Sequence, residues 1–135
     1  MNRARTLKLI ALKHTIELQA YRREAGRLND ELTRLKNRRT QINDLEVGYR
    51  EHLALPDLRV PEYRDVMQII GRLRERRDID DARRDILSVE QVRLSEILAK
   101  KQRQIERLEQ EAIEVLRTER YALEERLESL NPARR

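Results

Sequence analysis

The chain has 135 residues, of which 41% are charged and only 3% aromatic, with no Trp, Phe or Cys. A compact globule needs large apolar side chains converging from several directions, and this inventory does not supply them. The missing cysteines exclude a disulfide framework, and 30 basic against 25 acidic residues leave a formal charge of only +5, with the two signs interleaved.

Leu, Arg, Glu, Ala, Gln and Ile dominate; most are strong helix formers, and with a heptad period such a mixture reads as coiled coil. The chain opens with the basic Met1–Arg5 stretch, but Leu7–Leu12 is broken by Lys8 and no cleavage site follows, so no signal peptide is expected. A membrane-surface helix at this end, with Arg3, Arg5, Lys8 and Lys13 around Leu7–Leu12, is a weak signal. No run of about 18 apolar residues occurs, so the expectation is a soluble, cytoplasmic protein with no membrane insertion. The first helix is predicted from about Thr6 to Ala54. Pro56 then removes a donor and pushes Leu55 out of the helical region. After a turn over about 55–60, a second helix is predicted from about Pro61 to Leu130. Pro61 suits a helix start, with Glu62 near its positive end. Pro132 follows Asn131 as a stop, leaving a short C-terminal tail.

Spacing of alternately three and four gives a stripe on each helix. On the first it runs Ala4, Leu7, Ala11, His14, Leu18, Tyr21, Ala25, Leu28, Leu32, Leu35, Arg39, Ile42, Glu46, Tyr49, Leu53. On the second it runs Val66, Ile70, Leu73, Arg77, Asp80, Arg84, Leu87, Gln91, Leu94, Leu98, Lys101, Ile105, Leu108, Ala112, Val115. Sustained over this many heptads, the pattern predicts an all-α fold: one long two-helix antiparallel coiled-coil hairpin. Folding back at the turn sets Leu53 against Val66, Tyr49 against Ile70, and Ala11 against Leu108. It also sets Arg39 against Asp80 as an ion pair in the seam, which fixes register more than it adds stability. Gly48 falls next to Gly71, where missing side chains would let the backbones approach. The second helix, on the order of 100 Å long, outruns the first by about 15 residues. That overhang carries a re-registered stripe of Leu116, Leu123, Leu127 and Leu130 with no partner in the chain.

Around the turn, Leu45, Val47, Tyr49, Leu53, Leu55, Leu58, Val60, Tyr63, Val66, Met67, Ile69 and Ile70 exceed what one seam can bury. Two readings stand: the loop packs over the end of the helices, or the residues form a patch for a partner. His14 and His52 lack the companions a metal site needs, and His14 is expected as half-buried packing. Asp78, Asp80, Asp81 and Asp85 alternate with arginines and lack calcium-loop glycines, so a salt-bridged face is expected. No phosphate loop, nucleophile motif or carboxylate dyad is visible, so neither enzyme activity nor a cofactor is expected. Nearly every Arg has an acidic neighbour within a turn and no aromatics interleave, so an Arg-rich nucleic-acid binder is the weakest reading.

Tyr49-Arg50 with Leu53, then Tyr63, Val66-Met67, Ile70 and Leu73, then Leu98-Ala99-Lys100-Lys101-Gln102-Arg103 leading into a Glu/Gln/Arg/Leu-rich helix, carry a family likeness. In length, hairpin architecture and turn position the whole chain resembles the FliJ/YscO family, the central-stalk proteins of flagellar and injectisome type III secretion. The resemblance implies a non-enzymatic protein, cytoplasmic and peripheral to the inner membrane, largely monomeric alone. It implies that the termini end enters the hexameric secretion ATPase, through Leu116, Arg117, Arg120, Leu123, Arg126, Leu127 and Leu130. It further implies a patch that docks on the cytoplasmic domain of the export-gate membrane protein, comprising Ile42, Leu45, Tyr49, Val66, Ile70 and Leu73. Tyr49 matches the family type, whereas Val66 stands where an aromatic is commoner. Some members also handle export chaperones, and nothing in this sequence identifies such a site. The alternative from a different class is a general coiled-coil scaffold.

Overall fold

The computed structural model describes residues 2–130; the expected tail, with Asn131 and Pro132, lies outside the described residues. Within them the chain forms two α-helices, α1 (Asn2–Leu53) and α2 (Val60–Ser129), and no strand. The all-helical class and the position of the break match the reading from sequence. Three boundaries shift by a single residue, and α1 starts at Asn2, where Thr6 Oγ1 donates to the Asn2 carbonyl in the first turn.

The break is built as its sequence requires. Ala54 N–H donates to the Glu51 carbonyl and Leu55 N–H to that of His52, both at 3.2 Å. These i→i−3 bonds tighten the last turn just before Pro56, which has no N–H to continue it. Beyond the loop, Tyr63 N–H donates to the Arg59 carbonyl at 3.0 Å. Arg59 therefore caps α2, and Pro61 sits at the second helical position, not the first as expected. Its missing donor costs nothing there, because the first four amides of a helix have no intrahelical acceptor.

The chain divides into two compact units, Ala25–Arg93 and Met1–Glu24 with Leu94–Arg135. In the first, Leu28, Leu35 and Ile42 of α1 and Val66, Ile70 and Leu87 of α2 are buried. Arg39, Tyr49, Leu73 and Arg77 are half-buried around them. In the second, Ala4, Ala11, Leu18, Leu94, Ile105 and Ala112 are buried. Leu7, His14, Tyr21, Leu98, Lys101, Leu108 and Val115 are half-buried there. Each residue of the stripe expected on α1 is buried or half-buried. On α2 two are not: Arg84 and Gln91 are exposed. Over this stretch α2 buries one residue per heptad, Asp80, Leu87 and Leu94. A long polar side chain between such anchors keeps its hydration by turning outward.

The expected Arg39–Asp80 pair is not formed. Arg38 Nε lies 3.0 Å from Asp80 Oδ2 and Arg76 Nε 3.4 Å from Oδ1, while Arg39 reaches Asp81 at 3.2 Å. Arg39 is long enough to leave the stripe for the better-hydrated Asp81, and Asp80 takes the neighbouring Arg38 instead. Asp80 is only 4% exposed. Arg38 approaches its Oδ2 off the hydrogen-bonding direction, leaving that oxygen with a Coulombic neighbour and no hydrogen bond. Such a buried carboxylate contributes more to specificity of packing than to stability.

The reason given for Gly48 and Gly71 also fails. A Cβ placed on either would meet nothing within 4 Å, so neither marks a close backbone approach. A glycine inside a helix costs about 1 kcal/mol relative to alanine when nothing requires it. Gly48→Ala and Gly71→Ala should each stabilise the chain by up to about 1 kcal/mol in urea unfolding. Destabilisation by either would mean that the site is tighter than its geometry.

Candidate interaction surfaces

The six residues assigned to the gate-docking patch do not share one exposure. Ile42, Val66 and Ile70 are buried in the core, Tyr49 and Leu73 are half-buried, and only Leu45, at 51%, is open to solvent. Three of the six thus hold the helices together and cannot touch a partner while the packing persists. What the structure does expose nearby is different: Val47, Leu55, Val60, Tyr63 and Met67 join Leu45. Leu58 alone of the loop's apolar residues is half-buried, so the loop covers little of this surface. A shallow groove of about 410 Å3 runs here, lined by Asp44, Leu45, Gly48, Tyr49, His52 and Val66. The missing side chain of Gly48 keeps it open.

On another side of the same unit lies a polar cluster that the sequence reading did not single out. Glu46, only 8% exposed, accepts from Arg74 Nε at 2.9 Å, Arg50 Nη2 at 3.1 Å and Arg77 Nη1 at 3.1 Å. Arg77 Nη1 also donates to Asn43 Oδ1 at 3.3 Å. The hydrogen bond from Arg74 holds the Glu46 carboxyl below its ordinary value. Desolvation opposes it, and the charges of Arg74 and Arg77 add to it. A signal was available: Glu46 interrupts an apolar stripe, and a carboxylate there needs cations one turn apart on the facing helix.

In the other unit, the Lys101 ammonium reaches the Glu17 carboxylate and lies 3.1 Å from His14 Nδ1. His14 is half-buried as expected, beside the Lys101 ammonium. The Lys101 hydrogen bond draws the Glu17 carboxyl down as well. Farther along α2, Leu116, Leu123, Leu127 and Leu130 are all exposed, as is the whole stretch from Arg120 to Leu130. The expected arm residues Arg117, Arg120 and Arg126 lie among them. Arg120 pairs loosely with Glu124 at 3.4 Å, and Arg117, Arg120, Tyr121 and Glu124 line a hollow of about 270 Å3. Tyr121, 62% exposed, lies beside this leucine stripe.

Of the acidic group on α2, Asp80 and Asp81 are engaged by arginines, in keeping with a salt-bridged face. Beside it runs a further apolar stripe, Ile79, Ala82, Ile86 and Val89, exposed and at helical spacing. It lies one residue out of step with the buried Asp80 and Leu87, so the heptad pattern of the buried stripe does not include it. No helix among the described residues is long and apolar enough to cross a membrane.

The Glu46 and Glu17 carboxyls have lower proton affinity in the folded chain than the ordinary value of 4.5. Their stabilisation is therefore complete above 4.5 and is lost as the pH falls through the lower folded-state values. Thermal unfolding followed by circular dichroism should show Glu46→Gln less stable than wild type at neutral pH. The two curves should converge in the acid range below 4.5. A gap unchanged down to full protonation would contradict the ionic role of Glu46.

Compared with known proteins, the chain matches no protein-family model, and no curated protein or solved structure shows significant similarity to it.

Proposed function

We propose that the chain is an antiparallel two-helix coiled-coil hairpin that serves as the non-enzymatic central stalk of a type III protein-export apparatus. The antiparallel pairing is supported by contacts whose positions rise on one helix as they fall on the other: Glu46 with Arg74, Arg39 with Asp81, and Glu31 with Arg83. In the other unit, Lys101 meets Glu17, while Arg3 shares a groove with Glu111, Glu114 and Val115. The likeness of the turn-proximal and Leu98–Arg103 segments to the FliJ/YscO family supplies the identity of the machine.

The observation that carries the reading is the exposed arm from Leu116 to Leu130. It presents an aliphatic stripe, a tyrosine and three arginines to solvent. Apolar surface held in water on a continuous helix is favourable only when another surface covers it. The arm inserts into the ring of the export ATPase, where Leu123 and Leu127 anchor it and Arg117, Arg120 and Arg126 meet carboxylates. The turn-proximal groove receives the export gate, through Leu45, Tyr49, Tyr63 and Met67 rather than through the core residues Ile42, Val66 and Ile70. The site of action is the cytoplasmic face of the inner membrane.

A self-assembling scaffold is the second reading, favoured by the outward stripe Ile79, Ala82, Ile86 and Val89. Sedimentation separates the two, since a stalk is monomeric at micromolar concentration and a scaffold is not. Added to the hexameric export ATPase of its own organism, the full chain should bind and raise the rate of ATP hydrolysis. Leu123→Ser with Leu127→Ser should remove most of that stimulation without unfolding the chain, because both side chains are already exposed. A chain that neither binds nor stimulates the ATPase would overturn the stalk assignment.

A further inference from the structure

The first helical turns of α1 carry a second face that the proposed stalk does not use. Within Leu7–Leu12 and the residues after it, the apolar side chains divide. Leu7, Ala11 and Leu18 turn to the core, and Leu9, Leu12 and Ile16 are 55–60% exposed. These three recur at i, i+3 and i+7, so they lie on one side of the helix with the exposed Ala20 continuing the row. Three aliphatic side chains left in water on a single face call for a cover.

The charges around that face identify what the cover is. Arg5 and Lys13 lie one turn to either side of Leu9, Lys8 flanks it, and Arg23 follows Ala20 at the same spacing; all are exposed. Between Asn2 and Arg23 the chain has one acidic residue, Glu17, whose charge is committed to Lys101 and His14, and the exposed Glu24 closes the face beyond Arg23. On α2, Glu111, Glu114 and Glu119 share a groove with Arg3, and none of the residues of this face lines it. A second basic run, Arg34, Lys36, Arg38 and Arg39, has no exposed aliphatic row beside it, since Leu35 and Ile42 are buried and Leu32 is half-buried. A helix with an aliphatic row flanked by cations lies flat in the interfacial region of a bilayer, its aliphatic row among the acyl chains and its cations at anionic headgroups.

We propose that the outer face of α1, Leu9, Leu12 and Ile16 with Arg5, Lys8, Lys13 and Arg23, is a peripheral docking surface for an anionic membrane. An acidic groove on another protein would use the same cations, and absence of vesicle binding would point to it instead. This face has only aliphatic groups and long flexible cations, which suit a fluid interface. The inference stands apart from the stalk assignment, because it concerns α1 and leaves the arm of α2 free.

The chain has no tryptophan, so Leu12→Trp places a single reporter in the face of the full-length protein. Mixed with vesicles of equal parts phosphatidylglycerol and phosphatidylcholine, this variant should show a blue-shifted emission and sediment with the lipid. With phosphatidylcholine alone it should do neither, and raising the salt well above ~0.1 M should weaken the binding. In the otherwise native sequence, Leu9→Ser with Ile16→Ser should lower vesicle affinity by roughly tenfold or more while leaving the helical circular dichroism intact. Leu123→Ser with Leu127→Ser should leave vesicle binding unchanged, so failure here and failure of the stalk reading are distinguishable. Absence of binding to the anionic vesicles, equal binding to neutral ones, or full binding by the Leu9 and Ile16 variant would overturn the proposal.

Discussion

Two helices packed side by side can bury only one stripe on each of them, and the rest of this molecule follows from that limit. Ala11, Leu18, Leu35 and Ile42 on α1, with Val66, Ile70, Leu87 and Ile105 on α2, occupy the available interior. Among the described residues no third element is present to take the remaining aliphatic side chains. Leu45, Met67, Ile86, Leu123 and Leu9 therefore stay in water, on faces their neighbours in sequence do not share. A chain whose apolar content exceeds its interior leaves the excess exposed, and these exposed rows are the surfaces on which the proposed contacts rest.

The same narrowness governs the polar residues of the interior. A charge placed in a two-helix contact sits a few ångströms from water, so long cations can reach it from both helices while keeping part of their hydration. Glu46 with Arg74 and Arg77, Asp80 with Arg38, and Lys101 with Glu17 all use this edge position. Each is of little net value for stability, because desolvation offsets most of the attraction. Each is strict about which residues face one another, because a shift by one heptad would leave a carboxylate buried without its cations. The aliphatic stripes alone, repeating every seven residues, would tolerate such a shift.

How far the sequence could be read follows from the length scale of each feature. Periodicity averages over many residues, so the α1 stripe was correctly read at each position, from Ala4 to Leu53. The break was correctly placed by Pro56 and Pro61, whose effects on the backbone are local. Partners of charged residues were harder: an arginine spans more than one helical position, and whether Arg38 or Arg39 meets Asp80 depends on hydration that spacing does not encode. The mixed exposure of the docking patch has a different reason. Ile42, Val66 and Ile70 were assigned to it by likeness of position, yet they belong to the stripe that the heptad count had already assigned to the interior. Gly48 and Gly71 were read as close approaches, when the space around them is open. The aliphatic face of α1 is legible only once burial separates Leu7 from Leu9.

We propose that α1 and α2 pair antiparallel, in a register that leaves these faces free. Because the chain contains no cysteine, pairs introduced at facing positions report that register directly. Tyr49→Cys with Ile70→Cys, and separately Ala11→Cys with Leu108→Cys, should each form a disulfide within a single chain under mild oxidation. A pairing two heptads out of step, Tyr49→Cys with Arg84→Cys, should not. Cross-links absent from the facing pairs, or formed only between two chains, would contradict the account.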